Sequence, residues 1–436
     1  MERGFSPLDE ELGLLPGPWS PHLQEHLARL GARLPFAQAA AEFTAFTRSP
    51  VSETTVRRHT EAAGAAAVAV QTAAVERLEA AAQQPSWDPT SAVATDPARP
   101  SPDVLQVSAD GAMVAVVGGD WVEVRTLVIG EVVPPVPSTA LATDAQTPQP
   151  RTTRLSYFSR LCDAATFTQL ALGEVHRRGV DRARVVVAPQ DGAEWLQTFL
   201  DVHRPDAVRI LDFPHAAEYL STAAHAVWGS EPTAPKRAWL AAQCHELKHG
   251  SAHQVLGALA RLPVREAADP GTAAKERTTS LQYLTKRLDQ IQYAQFQALG
   301  YPIGSGCVES ANKLVVEARL KGSGMHWARA HVNPLVALRN ALCSDRWAVV
   351  WAEVVQQRRT QERRQHRERQ QAHRPAAAPV VTPAPVVTSA PPVRPLPART
   401  PARPPRIVNG RPTADHPWRR PLLAGGRRFA AAHPKL

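Results

Sequence analysis

The sequence predicts an α/β fold: a mixed layer in which three strands come first, two more alternate with helices, and helical segments flank the whole. Three observations predict it. Between Asp103 and Val133 two runs, Val-Leu-Gln-Val-Ser-Ala-Asp-Gly-Ala-Met-Val-Ala-Val-Val and Trp121–Val133, have the β-rich composition of a hairpin-like strand pair. Two short Val- and Ile-bearing runs, Ala183–Ala188 and Ala207–Leu211, are each followed by helical periodicity. From Ser230 to about Gly300 every segment reads as helix. The order is that of a mixed layer, not of a doubly wound sheet built from alternating units throughout.

Element by element, residues 1–34 read as an irregular arm with one short helix near Pro21–Leu34. Residues 35–84 follow as a helical region. Its first helix is Pro35–Thr47, with Phe36, Ala39, Ala40 and Phe43 on one face. Arg48–Ser52 is a tight connection, and Ser52 is a good N-cap for a second helix that Gly64 could stop. That pair is a helix-turn-helix candidate whose second helix presents Arg57, Arg58 and His59 to a major groove. Two helices joined by a turn also suit any helical core. A further helix, Ala65–Gln84, leads to a Pro-rich linker, 85–102.

Residues 103–229 carry the predicted sheet. After the hairpin, a Pro/Thr-rich connection (Pro134–Pro150) precedes a third strand at Arg154–Phe158 and a helix at Asp163–Arg178. Strand 183–188 runs to Asp191-Gly, a helix covers Ala193–His203, strand 207–211 ends at Asp212, and a helix spans Pro214–Val227. In the helical stretch 230–300 the segments are Lys236–His249, Ala252–Leu262 and Thr272–Leu299, the last with Leu281, Leu284, Leu288 and Ile291 at helical spacing. Residues 301–350 open with the turn Tyr301–Gly306 and a helix bearing Glu309, Ala311, Leu314, Val315 and Ala318. An Arg-rich helix occupies 351–374. The Pro/Ala/Arg-rich segment 375–436 cannot bury a core and is predicted to be disordered.

A chain of 436 residues has room for two or three units. Its formal charge of +10 is unevenly placed. From residue 351 onward stand 17 of the 50 Lys and Arg and 4 of the 40 Asp and Glu, so the folded body is near neutral and the basic charge is an appendage. Such an appendage suits polyanions, nucleic acid above all, unless it is only a solvated tail. The four cysteines (Cys162, Cys244, Cys307, Cys343) show no C-x-x-C spacing, which speaks against a zinc ribbon or a disulfide framework. The first residues lack a basic region followed by an apolar run, and Ala62–Val75 is too short and too weakly apolar for a bilayer. The expectation is a cytoplasmic protein with no membrane partner, and the resemblance given below would make it bacterial and nucleoid-associated.

Four acidic positions stand in distinctive settings: Asp110 in Ser-Ala-Asp-Gly, Asp191 in Pro-Gln-Asp-Gly, Asp212 in Leu-Asp-Phe-Pro-His215, and Glu309 in Gly-Ser-Gly-Cys-Val-Glu-Ser-Ala-Asn-Lys. Taken singly, Asp-Gly is a common turn dipeptide, Asp212 suits a helix cap, and Glu309 suits a solvated first turn. Taken together, carboxylates at strand ends and on a distant helix suit hard divalent cations and phosphodiester chemistry. A first carboxylate in a hairpin strand, a second after a later strand and a third on a distant helix describe a ribonuclease-H-like core.

These residues resemble a known group. Asp110-Gly-Ala, Asp191-Gly-Ala-Glu-Trp195, Leu211-Asp-Phe-Pro-His-Ala-Ala-Glu-Tyr-Leu220, Gly304–Lys313 and Arg319-Leu-Lys-Gly-Ser-Gly-Met-His-Trp327 look like the motifs of insertion-sequence transposases of the ISKra type, in the Mutator-like branch of DDE transposases. The resemblance covers roughly residues 10–350. It implies that Asp110, Asp191 and Glu309 form the catalytic, metal-holding triad, that Asp212 and His215 form the accompanying Asp-x-x-His element, and that 230–300 is the helical insertion. It implies two Mg²⁺ ions, replaceable by Mn²⁺, about 3.5–4 Å apart, with Asp110 bridging them. His215 would either orient a phosphate or metal-bound water or fix local packing. Family members often carry cysteine pairs ahead of the helix-turn-helix; this chain has none there, whether through a lineage without a zinc module or a shortened reading frame.

Other residues are expected to meet DNA. Lys313 lies one turn beyond Glu309, on the same face, and either touches phosphate or is solvated. Arg319, Lys321, His326 and Trp327 make a basic and aromatic cluster suited to gripping an unpaired end. Trp228 and Trp239 either stack on a flipped base or pack in the core. The expected activity is that of a DNA transposase, an endonuclease and strand transferase that cuts and joins its element's terminal inverted repeats as a homo-oligomer on double-stranded DNA. The rivals are a ribonuclease-H-like structure-selective nuclease that only hydrolyses, and a non-catalytic DNA-binding regulator descended from such an element.

Overall fold

The computed structural model describes residues 19–84, 103–135 and 150–372, with the short pairs 407–408 and 411–412. The arm before residue 19, the Pro-rich linker, most of the Pro/Thr-rich connection and the predicted disorder of the tail fall outside the described residues. By internal contacts the chain divides into two units, Met1–His373 and Arg374–Leu436. The helices and the large sheet between Pro21 and Ala372 all belong to the first unit.

Three helices lead: α1 (Pro21–Gly31), α2 (Phe36–Thr47) and α3 (Glu53–Ala82). The Ser20 and Ser52 hydroxyls accept from the Leu23 and Thr55 amides at 3.3 and 3.2 Å, capping α1 and α3. Arg48 takes a left-handed conformation (φ 57°) and ends α2. One expectation fails here: Gly64 does not stop a helix, because α3 runs through it without a break. Gly64 instead lies against the Pro334 backbone, where a Cβ would overlap the Pro334 carbonyl oxygen. The glycine serves a close helix–helix approach rather than a turn.

A five-stranded mixed sheet follows, made of β1 (Val104–Ala115), β2 (Trp121–Val133), β3 (Arg151–Arg160), β4 (Val185–Gln190) and β5 (Val208–Leu211) in the spatial order β3-β2-β1-β4-β5. β2 runs antiparallel to both β1 and β3, whereas β1, β4 and β5 are parallel. Between the strands lie α4 (Ala164–Arg177) and α5 (Glu194–His203), and α6 (Phe213–Trp228) follows β5. This is the α/β order read from the sequence.

Alternation along β1 makes two cores. Leu105, Val107 and Ala109 bury against Phe167, Phe199 and Leu196 of α4 and α5. Ala112, Val114 and Val116 bury on the other face with Phe36, Phe43 and Val56 of the leading helices. The helix-turn-helix candidate therefore shares a core with the sheet.

The helical stretch holds α7 (Ala234–His249), α8 (Ala252–Ala260), α9 (Pro270–Lys286) and α10 (Tyr293–Ala298). The expected single helix Thr272–Leu299 is broken after Lys286. Two side chains at the break bind the sheet end: an Arg287 amine donates to the Gly192 carbonyl at 2.8 Å, and the Tyr293 hydroxyl donates to the Leu211 carbonyl at 2.8 Å. Next comes α11 (Gly306–Ala311), a π-helical turn at Asn312–Glu317 and α12 (Ala318–Leu320), then α13 (Arg329–Cys343) and α14 (Trp347–Ala372). Among the described residues, no helix is long and apolar enough to cross a membrane.

Candidate active site

Asp110 stands within β1, opposite Thr126 of β2, on the face that α11 covers. The β1–β4 ladder ends at Gln106↔Val187, and carrying its register forward puts Asp191 level with Asp110. β4 has ended by then, so Asp191 opens the turn into α5. Glu309 is exposed in the first turn of α11. One turn on, at the start of the π-helical segment, the Asn312 amide donates to Asp110 Oδ2 at 2.9 Å. The other oxygen, Oδ1, accepts from the Gly111 amide at 2.7 Å. The Asn312 contact binds the segment that continues the Glu309 helix to the carboxylate strand.

Electrostatics shows what has been brought together. Burial pushes the Asp110 carboxyl above the usual carboxylate range, and the charges of Asp191, Glu123 and Glu309 push it the same way, against the Gly111 hydrogen bond. Asp191 and Glu309 are therefore both within electrostatic reach of Asp110. Glu123 is a fourth that sequence reasoning missed. It lies on β2 and reaches over Gly111, where a Cβ would collide with it, and it pairs with Arg125 at 2.5 Å. The hairpin register carries the signal, since Gly111 faces Arg125 and Met113 faces Glu123.

The Asp191 turn is held from the helical side. Its Oδ1 accepts from the Ala193 amide at 2.9 Å, and its carbonyl accepts from the Tyr283 hydroxyl at 3.0 Å. Tyr283 stacks on Tyr219 with ring centroids 3.9 Å apart, and the Arg287 guanidinium lies 3.8 Å from the Tyr283 ring centroid. His215 Nε2 is 3.3 Å from the Tyr283 hydroxyl, and Nδ1 is 3.4 Å from Glu218. His215 thus touches Asp191 through Tyr283, a partner the sequence did not reveal.

Asp212 is only 5% exposed, and both its oxygens are taken. Oδ2 accepts from the His215 amide at 3.2 Å, capping α6, and Oδ1 accepts from the Ser305 amide at 2.6 Å. Asp212 ties the end of β5 to the turn that launches α11.

The expected DNA contacts divide. Arg57, Arg58, Lys313 and His326 are exposed. Lys321 pairs with Glu317 at 2.6 Å. Arg319 and Trp327 are internal, 2% and 8% exposed. The Arg319 guanidinium lies against both the Phe36 and Trp327 rings and donates to the Gly31 carbonyl at 2.9 Å. Burial, with Arg339 nearby, lowers its pKa to about 10. This pair locks α1 and α2 to α12 and cannot grip an unpaired end. Trp228 and Trp239, with centroids 5.8 Å apart, pack against the core of the helical layer.

The oxygen donors of Asp110, Asp191 and Glu309 fit a hard divalent cation in chemistry and in charge. Among the described residues, no three His, Cys, Asp or Glu side chains stand close enough together to ligate one ion. The Gly111 amide and Asn312 hold the oxygens of Asp110, and the Ala193 amide holds one of Asp191. No protein-family model matches the chain, and no curated protein is significantly similar to it.

Proposed function

We propose that the protein is a DNA transposase of the DDE kind, which cuts and joins the ends of its own insertion sequence at Asp110, Asp191 and Glu309. The observation that carries this reading is that Asp110, mid-β1, is tied to the segment following Glu309 by the Asn312 amide, with Asp191 and Glu309 near enough for their charges to add to the burial that raises its carboxyl. The strand order β3-β2-β1-β4-β5 with β2 reversed supports a ribonuclease-H-like core, and the helices from α7 to α10 take the place of the insertion. DNA is the partner that the basic C-terminal segment and the exposed Arg57, Arg58 and Lys313 suit.

Mg²⁺, with Mn²⁺ as a substitute, fits this donor set; Asp110, Asp191 and Glu309 would hold it, and when bound it would activate a hydroxyl and stabilise a leaving oxygen. The chain's own residues do the positioning. Gly111 and Asn312 fix the Asp110 carboxylate, and Tyr283 and Arg287 fix the turn that carries Asp191. Asp212 fixes the approach to Glu309 through Ser305. Lys313, a turn beyond Glu309, offers a cation to the DNA backbone.

The test is incubation of the full chain with DNA that includes the sequences flanking its gene, with Mg²⁺ or with chelator. Metal-dependent nicking at the element ends and joining to a second DNA are expected, and Asp110→Asn should lose both. Cutting without joining would favour a nuclease of the same fold; binding without cutting would favour a regulator, and either result overturns the proposal.

A further inference from the structure

Asn312 is a polar side chain in an apolar place. It is 5% exposed, where α11 passes into the π-helical segment. Its neighbours one turn away on either side, Val308, Val315 and Val316, all belong to a hydrophobic core. Leucine has a similar size and would serve at this position if packing were the only demand. The amide is half satisfied. Nδ2 donates to Asp110 Oδ2 at 2.9 Å, whereas Oδ1 is buried with no hydrogen-bond partner. Buried polar atoms are nearly always partnered, and this orphan stands one amide's width from the central carboxylate. A π-helical turn, where it interrupts a helix, recurs at functional sites.

We propose that Asn312 is a ligand of the divalent cation held at Asp110: a half-turn of its amide replaces the N–H by Oδ1, which then faces the cation beside the carboxylate. Such a role rests on the metal-dependent function proposed for the chain. The half-turn needs no extra room, because the two ends of an amide are alike in size and the last torsion of asparagine is broad and two-fold. Charge sets its direction. The N–H is the positive end of the amide and suits a carboxylate alone; the oxygen is the negative end and suits a cation next to that carboxylate. Amide oxygens are hard donors of the kind that such cations take. An amide also supplies a donor without adding charge, and the charges of Asp191 and Glu309 already bear on Asp110. Asn312 follows Glu309 by three positions, so the two share a helix face, the carboxylate exposed and the amide buried. Among the described residues no three His, Cys, Asp or Glu side chains gather around one ion, and Asn312 brings a ligand of another type.

The test measures Mn²⁺ binding by the full chain without DNA, from the electron-spin-resonance signal of the free ion, with a thermal melt in chelator to show that each variant is folded. Wild type should bind Mn²⁺ and Asp110→Asn should not. Asn312→Leu keeps the bulk, lacks the oxygen, and should bind about ten-fold or more weakly. Asn312→Asp keeps an oxygen, lacks the N–H, and should bind at least as tightly as wild type at neutral pH. Asn312→Ala replaces the leucine variant in the comparison if that one does not melt cooperatively. Equal binding by wild type and Asn312→Leu overturns the proposal. Equal weakening in Asn312→Leu and Asn312→Asp overturns it too, since the N–H would then only prop Asp110, and so does a wild type with no Asp110-dependent binding. DNA cutting keeps the two ideas separable. Asn312-dependent Mn²⁺ binding by a wild type that never cuts sinks the transposase reading and leaves the ligand; metal-dependent cutting, with Mn²⁺ binding indifferent to Asn312, does the reverse.

Discussion

Asp110 carries a charge that its surroundings disfavour, which makes it the most informative residue for experiment. Because its folded-state pKa is raised, the folded chain holds that proton more tightly than the unfolded chain does. The group therefore contributes stability at acid pH that is lost as pH rises from the ordinary carboxylate range through the raised value. Asp110→Asn removes this liability, and the Asn312 amide can turn so that its unsatisfied oxygen accepts from the new side chain. The variant is expected to melt higher than wild type at neutral pH without metal, while losing cleavage by roughly a hundred-fold or more. Mg²⁺ should raise the Tm of wild type and leave that of the variant unchanged. Thermal melts with and without the ion check all of this, and a variant that melts lower in chelator would refute the strain argument. Asp212 gives the opposite result. Asp212→Ala removes a helix cap worth about 1 kcal/mol and leaves the buried Ser305 amide unpaired at about 1–3 kcal/mol, so urea unfolding should show a loss of about 2–4 kcal/mol.

At the scale of elements, the leading helices depend on how closely they can approach their neighbours. Gly64→Ala would gain up to about 1 kcal/mol of helix propensity. The new methyl must displace the Pro334 backbone, however, and overpacking of that kind costs about 1–3 kcal/mol. Backbone atoms yield less than a flexible side chain, so the loss should win and the variant should have a lower urea midpoint; an unchanged or higher midpoint would show that α3 and α13 can separate freely. The same example marks where sequence reasoning reaches its limit. The strands were legible because β-rich runs such as Val185–Val187 and alternation along Trp121–Val133 are local signals. Asp110, Asp191 and Glu309 were legible because each sits in a distinctive local phrase. Gly64 looked like a stop because only the tertiary contact with Pro334 distinguishes close approach from a turn. The break after Lys286 was hidden for a like reason: Arg287 and Tyr293 leave helical spacing to reach Gly192 and Leu211, which are remote in sequence. Glu123 was missed because cross-strand neighbours follow from register, and Arg319 was misread because a basic residue's burial depends on which rings enclose it.

At the scale of the whole molecule, charge and fold are separately placed. The carboxylate group belongs to the unit Met1–His373, and much of the basic excess lies beyond it, in a segment with eleven Lys or Arg and one acidic residue, Asp415. Counterion release makes each phosphate contact contribute to the salt dependence of DNA binding, with a slope of about −0.9 per neutralised phosphate on duplex DNA. Removing the second unit should therefore weaken nonspecific binding and flatten the plot of log K against log salt by several units. It should not alter the melting of the first unit, whose cores are built from residues before the boundary. Metal-dependent chemistry, once DNA is saturating, should survive at a similar rate, because every residue positioned around Asp110 is retained. A truncated chain with an unchanged salt slope would show that Arg57, Arg58 and the Arg-rich α14 already supply the electrostatic grip. A truncated chain that binds as expected but no longer cuts saturating DNA would place a further part of the machinery beyond His373.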